Sequence, residues 1–121
     1  MPPTAQSLSR LPLPPTVFLI LLSLADGDAH GYQIRKNVIE HSNGSVRLDP
    51  GSLYRLIGRL LDERLIDETG SRGAADDDAR RRYYRLTALG KRVLLQETER
   101  LSDLVDQVRA RHGDRARKAS S

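Results

Sequence analysis

The stretch from Asp49 to Leu61 constrains this chain more than any other. Asp49 offers a side-chain oxygen to the unpaired N–H groups of a helix start. Pro50 supplies a fixed φ at the first helical position, where its missing N–H costs nothing. Leu53, Leu56, Ile57, Leu60 and Leu61 then recur at i, i+3, i+4, i+7 and i+8, so all five share one face of a helix. Ser52, Arg55 and Arg59 occupy the opposite face, with Tyr54 near its edge. Such a helix must lie on a core and turn a polar, cationic side outward.

The rest of the chain supplies that core sparingly. It has 121 residues, 38% of them hydrophobic and 4% aromatic. This suits one thin-cored domain that completes its packing by pairing with a second copy. The apolar run Val17–Ala25 is about half the ~20 residues needed to span a bilayer, and prolines rather than a basic segment precede it. It reads as an enclosed first helix, from about Pro14 to Ala25. A second helix is expected from His30 to His41, with Ile34 and Val38 inward, stopped by Ser42-Asn43-Gly44-Ser45. Val46 and Leu48 alternate with polar neighbours, which predicts a very short strand. Leu65–Thr69 and Arg81–Leu86 read as a hairpin around a Gly-, Ala-, Ser- and Asp-rich tip. A fourth helix should begin near Thr87, a good N-cap, and run to about His112. In it Leu94, Thr98, Leu101, Val105 and Val108 alternate by four and three, the spacing of a coiled-coil seam, with Leu104 beside it.

The fold class expected is therefore mainly α with a small β-hairpin: a winged helix-turn-helix followed by a long C-terminal dimerisation helix. Residues 1–11 form a flexible arm, 12–87 the winged-helix domain, 88–112 the dimerisation helix and 113–121 a disordered basic tail. The expected dimer interface comprises Leu94, Leu101, Leu104, Val105 and Val108.

The net charge of +4 misleads at first sight. Of 20 Lys and Arg and 16 Asp and Glu, five cations and one acid lie in residues 109–121, which leaves 15 of each before that. A nucleic-acid reading must therefore rest on local clusters. Two exist. In a winged helix the third helix enters the major groove, where Ser52, Arg55 and Arg59 could meet base edges or phosphates. The wing places Arg80, Arg81, Arg82 and Arg85 beside Tyr83 and Tyr84, with Arg72 at the tip. Strand alternation separates Arg81, Tyr83 and Arg85 from Arg82, Tyr84 and Leu86, so one tyrosine can pack inward while arginines face a duplex. The competing readings are a solvated face for Arg55 and Arg59, and pairing of the wing arginines with Asp76, Asp77 and Asp78.

Three blocks of sequence also resemble one family. Leu19-Ile20-Leu21-Leu22 with His30-Gly31-Tyr32-Gln33-Ile34, then Leu48-Asp49-Pro50-Gly51-Ser52-Leu53-Tyr54, then Arg82-Tyr83-Tyr84-Arg85-Leu86-Thr87-Ala88-Leu89-Gly90 are similar to the signature segments of PadR-like transcriptional regulators. The resemblance implies a dimer built by the last helix with help from the first. It also implies an inverted-repeat operator of double-stranded DNA, usually repressed. By motif match Ser52, Tyr54 and Arg55 would lie at the DNA surface, with Tyr32 as a phosphate contact. The other reading of Tyr32 is a core aromatic. The family usually has Pro where Arg55 stands, and often Gly where Arg64 stands, which predicts a left-handed backbone carrying a side chain.

Other functions are excluded more firmly. There is no Cys, and His30, His41 and His112 lack the spacing of a metal helix. No nucleophile–base set or phosphate-binding glycine loop is present, so no enzyme, metal site or cofactor is expected. A cytoplasmic location fits a cysteine-free regulator. The alternatives are a winged helix that binds protein, and a regulator gated by a small molecule between subunits. Among the latter, a stacking pocket built on Trp is ruled out by its absence.

Overall fold

A computed structural model describes residues 7–69 and 82–120, the last eight as backbone. Its elements are α1 (Pro15–Ser23), β1 (Ala29–His30), α2 (Gly31–His41), α3 (Pro50–Asp62), β2 (Ile66–Glu68), β3 (Tyr83–Leu86) and α4 (Ala88–Ser120). The three strands form one antiparallel sheet in the order β1-β3-β2, with Ala29 opposite Tyr84 and Ile66 opposite Leu86. Three helices closed by this small sheet, with β2 and β3 as the wing, make a winged helix. Among the described residues no helix is long and apolar enough to cross a membrane.

The core is continuous. Val17, Ile20 and Leu21 of α1 meet Ile34 and Val38 of α2, Leu53, Ile57 and Leu60 of α3, and Leu65, Ile66, Tyr84 and Leu86 of the sheet. Each fully buried aliphatic side chain contributes roughly 2 kcal/mol. Burial also raises the pKa of the Tyr84 phenol. On β3 Tyr84 and Leu86 are buried while Arg85 is exposed, so the alternation expected of the wing strand holds.

The helix ends follow capping chemistry. The Asp49 carboxylate accepts from Ser52 N at 3.0 Å, and Thr87 Oγ1 from Gly90 N at 2.9 Å. His30 Nδ1 accepts from Gln33 N at 3.1 Å. Both α2 and α3 close in a Schellman motif. Gly44 N bonds Ile39 O and Asn43 N bonds Glu40 O; Leu65 N bonds Leu60 O and Arg64 N bonds Leu61 O. Asn43 and Arg64 accordingly have φ of 53° and 61°. Arg64 thus sits in the left-handed region that the resemblance predicted.

Four expectations need correction. The strand that completes the sheet is Ala29–His30, not Val46–Leu48. Leu48 falls into the core, its carbonyl takes the Arg35 Nε–H, and Val46 N is held by Ser42 Oγ, so this connection is a closed turn. Residues 7–11 are not a loose arm: Leu8 is buried, and Ser7, Leu8 and Ser9 all donate to the Glu63 carboxylate. The backbone of α4 continues to Ser120, through the segment expected to be a disordered tail. Finally, Leu94 lies with Val93 in the protomer's own core rather than on an outer seam, because the first turns of α4 are still packed on the domain.

Candidate nucleic-acid interface

The inward stripe of α3 leaves its other side facing solvent. Tyr54 is 54% exposed; Arg55 is exposed, and Ser52 and Arg59 are half-buried. At the N-terminus these groups are linked in a line. Ser52 Oγ donates to Asp49 Oδ1 at 2.7 Å and accepts from Arg55 Nη2 at 3.0 Å. The Ser52 hydrogen bonds hold the Asp49 carboxyl below its usual range, so it is an anion at neutral pH. The line lays the Arg55 guanidinium back along the first turn of the helix. Arg59 lies further along, near Glu63, whose carboxyl it helps keep charged.

The start of α2 joins this surface. Tyr32 is 68% exposed, which overturns its reading as a core aromatic. It stacks on His30 with centroids 6.2 Å apart, and Tyr83 of the wing meets His30 edge-on at 5.4 Å. Tyr54 closes the group by packing over Gly31. One patch therefore gathers Tyr32 from α2, Ser52, Tyr54 and Arg55 from α3, and Tyr83 from the wing. Composition could not show that His30 holds this patch together. The signal that could have was its place immediately before a helix, where an acceptor is wanted.

Of the wing cations, Arg82 is exposed and pairs with Glu68 across the hairpin at 3.4 Å. An exposed pair of this kind is weak and readily exchanged for another anion. Arg72, Arg80 and Arg81, with the run Asp76–Asp78, lie outside the described residues.

On α4, Leu104, Val105 and Val108 are 45%, 45% and 58% exposed, and Leu101 is half-buried. This apolar row lies beyond the protomer's own core. Beside it Leu13, Phe18, Leu19, Val46, Arg100 and Leu101 line a concavity of about 400 Å³ between α1 and α4.

Comparison with known proteins agrees with this architecture. Residues 20–96 match a family model described as the transcriptional regulator PadR-like family. The chain is 29% identical over 91 residues to an uncharacterized protein of Lysinibacillus sphaericus, covering 73% of this chain and 82% of that one. It is similar to the crystal structure of a PadR family transcription regulator from Clostridium difficile. That similarity has 29% identity and a TM-score of 0.63, over 78% of this chain and 94% of the other. It also shares its fold with Bacillus subtilis PadR, solved in complex with operator DNA. There the identity is 24% and the TM-score 0.56, over 65% of this chain and 42% of that one.

Proposed function

The chain belongs to the PadR-like family of transcriptional regulators, and on that premise we propose that it binds double-stranded DNA as a homodimer. The site is an inverted-repeat operator, and the outcome is repression. The observation that carries this reading is the outward face of α3. Its inner side is anchored by Leu53, Ile57 and Leu60, while Ser52, Tyr54 and Arg55 stand on the outside. Major-groove recognition needs donors and acceptors presented on a rigid helix. The fold-related Bacillus subtilis protein in complex with operator DNA supports the same use of the fold.

In this reading Arg55 leaves Ser52 and extends to a guanine edge, Ser52 turns its hydroxyl from Asp49 to the duplex, and the Gly51 N–H at the start of α3 faces phosphate. Tyr32 donates its hydroxyl to the backbone. Arg82 exchanges the Glu68 carboxylate for phosphate alongside the duplex, and Arg72, Arg80 and Arg81 add their charges to the same backbone contact. The second copy covers Leu101, Leu104, Val105 and Val108. Two reading heads on a closed dimer demand a two-fold symmetric site.

The test is selection of bound duplexes from a random pool with purified protein. The expected product is an inverted repeat with half-sites about one helical turn, ~34 Å, apart. Weak binding without sequence preference would favour a winged helix that recognises protein.

A second reading adds a small-molecule effector. The concavity between α1 and α4 favours it, since about 400 Å³ falls within the usual range of ligand sites, roughly 300–1,000 Å³. Its walls are mostly apolar, with Ser42, Ser45, Glu97 and Arg100 as the polar lining.

A further inference from the structure

The N-terminal segment 7–13 is tied at both ends by carboxylates far apart in sequence. At one end Glu63, the residue that closes α3, receives Ser7 Oγ at 2.6 Å, Leu8 N at 2.8 Å and Ser9 N at 3.3 Å. At the other end Glu97 of α4 receives Leu13 N at 2.8 Å. Glu97 is only 1% exposed, and Arg100 neutralises it by a two-pronged pair. Leu8 and Leu13, whose N–H groups make two of these ties, are both buried in the core. A buried carboxylate spent on a main-chain N–H is an expensive way to hold a chain end, since desolvating the charge costs several kcal/mol unless it is fully paired. The same burial could have come from an apolar side chain.

The placement of the two ties supplies the reason. The start of α4 is already fastened to the end of α3: Thr87 Oγ1 donates to Arg64 O at 2.6 Å, and Gly90 packs on Leu65 O. Val93 and Leu94 add apolar packing within the next two turns, but such contacts can slide, and a rod held only near its start is free to tilt. Glu97 lies ten residues beyond Thr87, about 15 Å along the helix, and makes a second fastening. Two fastenings set a direction. From Thr87 to Val108 the helix is about 32 Å long, so a tilt of ~10° would move its outer end by roughly 5 Å. That exceeds the ~3.4 Å rise of one base pair.

We propose that Glu63 and Glu97 are positioning residues which, through the strap of residues 7–13, fix the angle between the reading helix α3 and α4, and so set the half-site spacing the dimer accepts. The proposal rests on the operator-binding reading above. Neither residue needs to touch DNA. The strap makes the two heads a caliper of fixed opening rather than a pair of hinged arms.

The experiment is a spacing series on the full-length protein. The selected operator is rebuilt with its half-sites one base pair closer or further apart, and a duplex with a single half-site serves as control. Wild type should discriminate against the altered spacings by about tenfold, the size of a mismatched base pair. Glu63→Ala and Glu97→Ala should bring this to about threefold or less, with single-half-site affinity within about twofold of wild type. Glu97→Gln, whose amide oxygen still accepts from Leu13 N, should keep the discrimination. Should Glu97→Ala not fold, Glu63→Ala, at the half-buried end, decides alone. A folded Glu63→Ala protein that discriminates like wild type would overturn the proposal. If wild type itself selects no paired site, the operator-dimer reading fails and takes the caliper with it.

Discussion

The ring of Tyr54 lies so closely over Gly31 that a Cβ added there would stand 2.7 Å from Tyr54 Oη and 3.0 Å from Cε1 and Cζ. Gly31 opens α2 and Tyr54 sits on the outer side of α3. The glycine therefore provides the floor on which an exposed tyrosine is oriented. Gly31→Ala should displace the ring toward solvent, where it is free to go. Stability should change by less than about 1 kcal/mol, while operator affinity falls by about tenfold, the scale of one lost directional contact. Thermal melting and titration of an operator duplex check the two halves. A large loss of stability with unchanged affinity would show that Gly31 serves packing alone.

Gly90 presents the opposite case. A Cβ there would lie 2.0 Å from the Leu65 carbonyl oxygen, and that backbone cannot swing away. Gly90→Ala should cost about 3 kcal/mol or more, as overpacking against main chain does. Denaturant titration measures it. A wild-type midpoint would mean that α4 shifts freely at its start, contrary to the fastening described above.

Acid should loosen the strap. The hydrogen bonds from Arg100 hold the Glu97 carboxyl below 4.5, outweighing its burial. At Glu63 burial works the other way but is overcome by Ser7, Leu8 and Ser9. Both groups bind protons less readily folded than unfolded. Their stabilisation is therefore complete above about pH 4.5 and is lost as pH falls through the lower folded values. The melting temperature should decline across that window, and the Glu97→Gln variant, lacking one such group, should decline less steeply. Parallel curves for the two proteins would show that Glu97 gains nothing from its charge.

The apolar row on α4 gives a prediction about assembly. Leu101→Asp should convert a dimer to a monomer in sedimentation, because it places a charge where the second copy packs. A dimeric variant, or a monomeric wild type at micromolar concentration, would contradict the assignment.

The fold was legible wherever one residue type has one physical use. Asp49-Pro50 and the Leu53–Leu61 stripe predicted α3 nearly to the residue, and Thr87 marked the start of α4. Val46 and Leu48 misled because their alternation reflects one buried leucine in a turn, whereas Ala29–His30, too short to show any period, pairs with β3. The N-terminal segment looked polar and loose. Its order comes from Glu63 and Glu97, partners 54 to 84 positions away, which no local pattern reveals. Leu94 fits the heptad spacing equally well whether it faces a second copy or its own core. Only the packing of α4 on α1 decides between them. The reading face was found by subtraction, as what the inward stripe leaves outside. The cluster of Tyr32, His30 and Tyr83 needed the sheet register to bring it together.

The most direct test of the reading face is the binding of Arg55→Ala to a panel of single-base-pair variants of the selected operator, beside wild type. If α3 reads bases through Arg55, the loss should fall on one or two positions per half-site, each by about 1–3 kcal/mol, with the other positions discriminated as before. A uniform loss across all positions would contradict the account and reduce Arg55 to a phosphate contact.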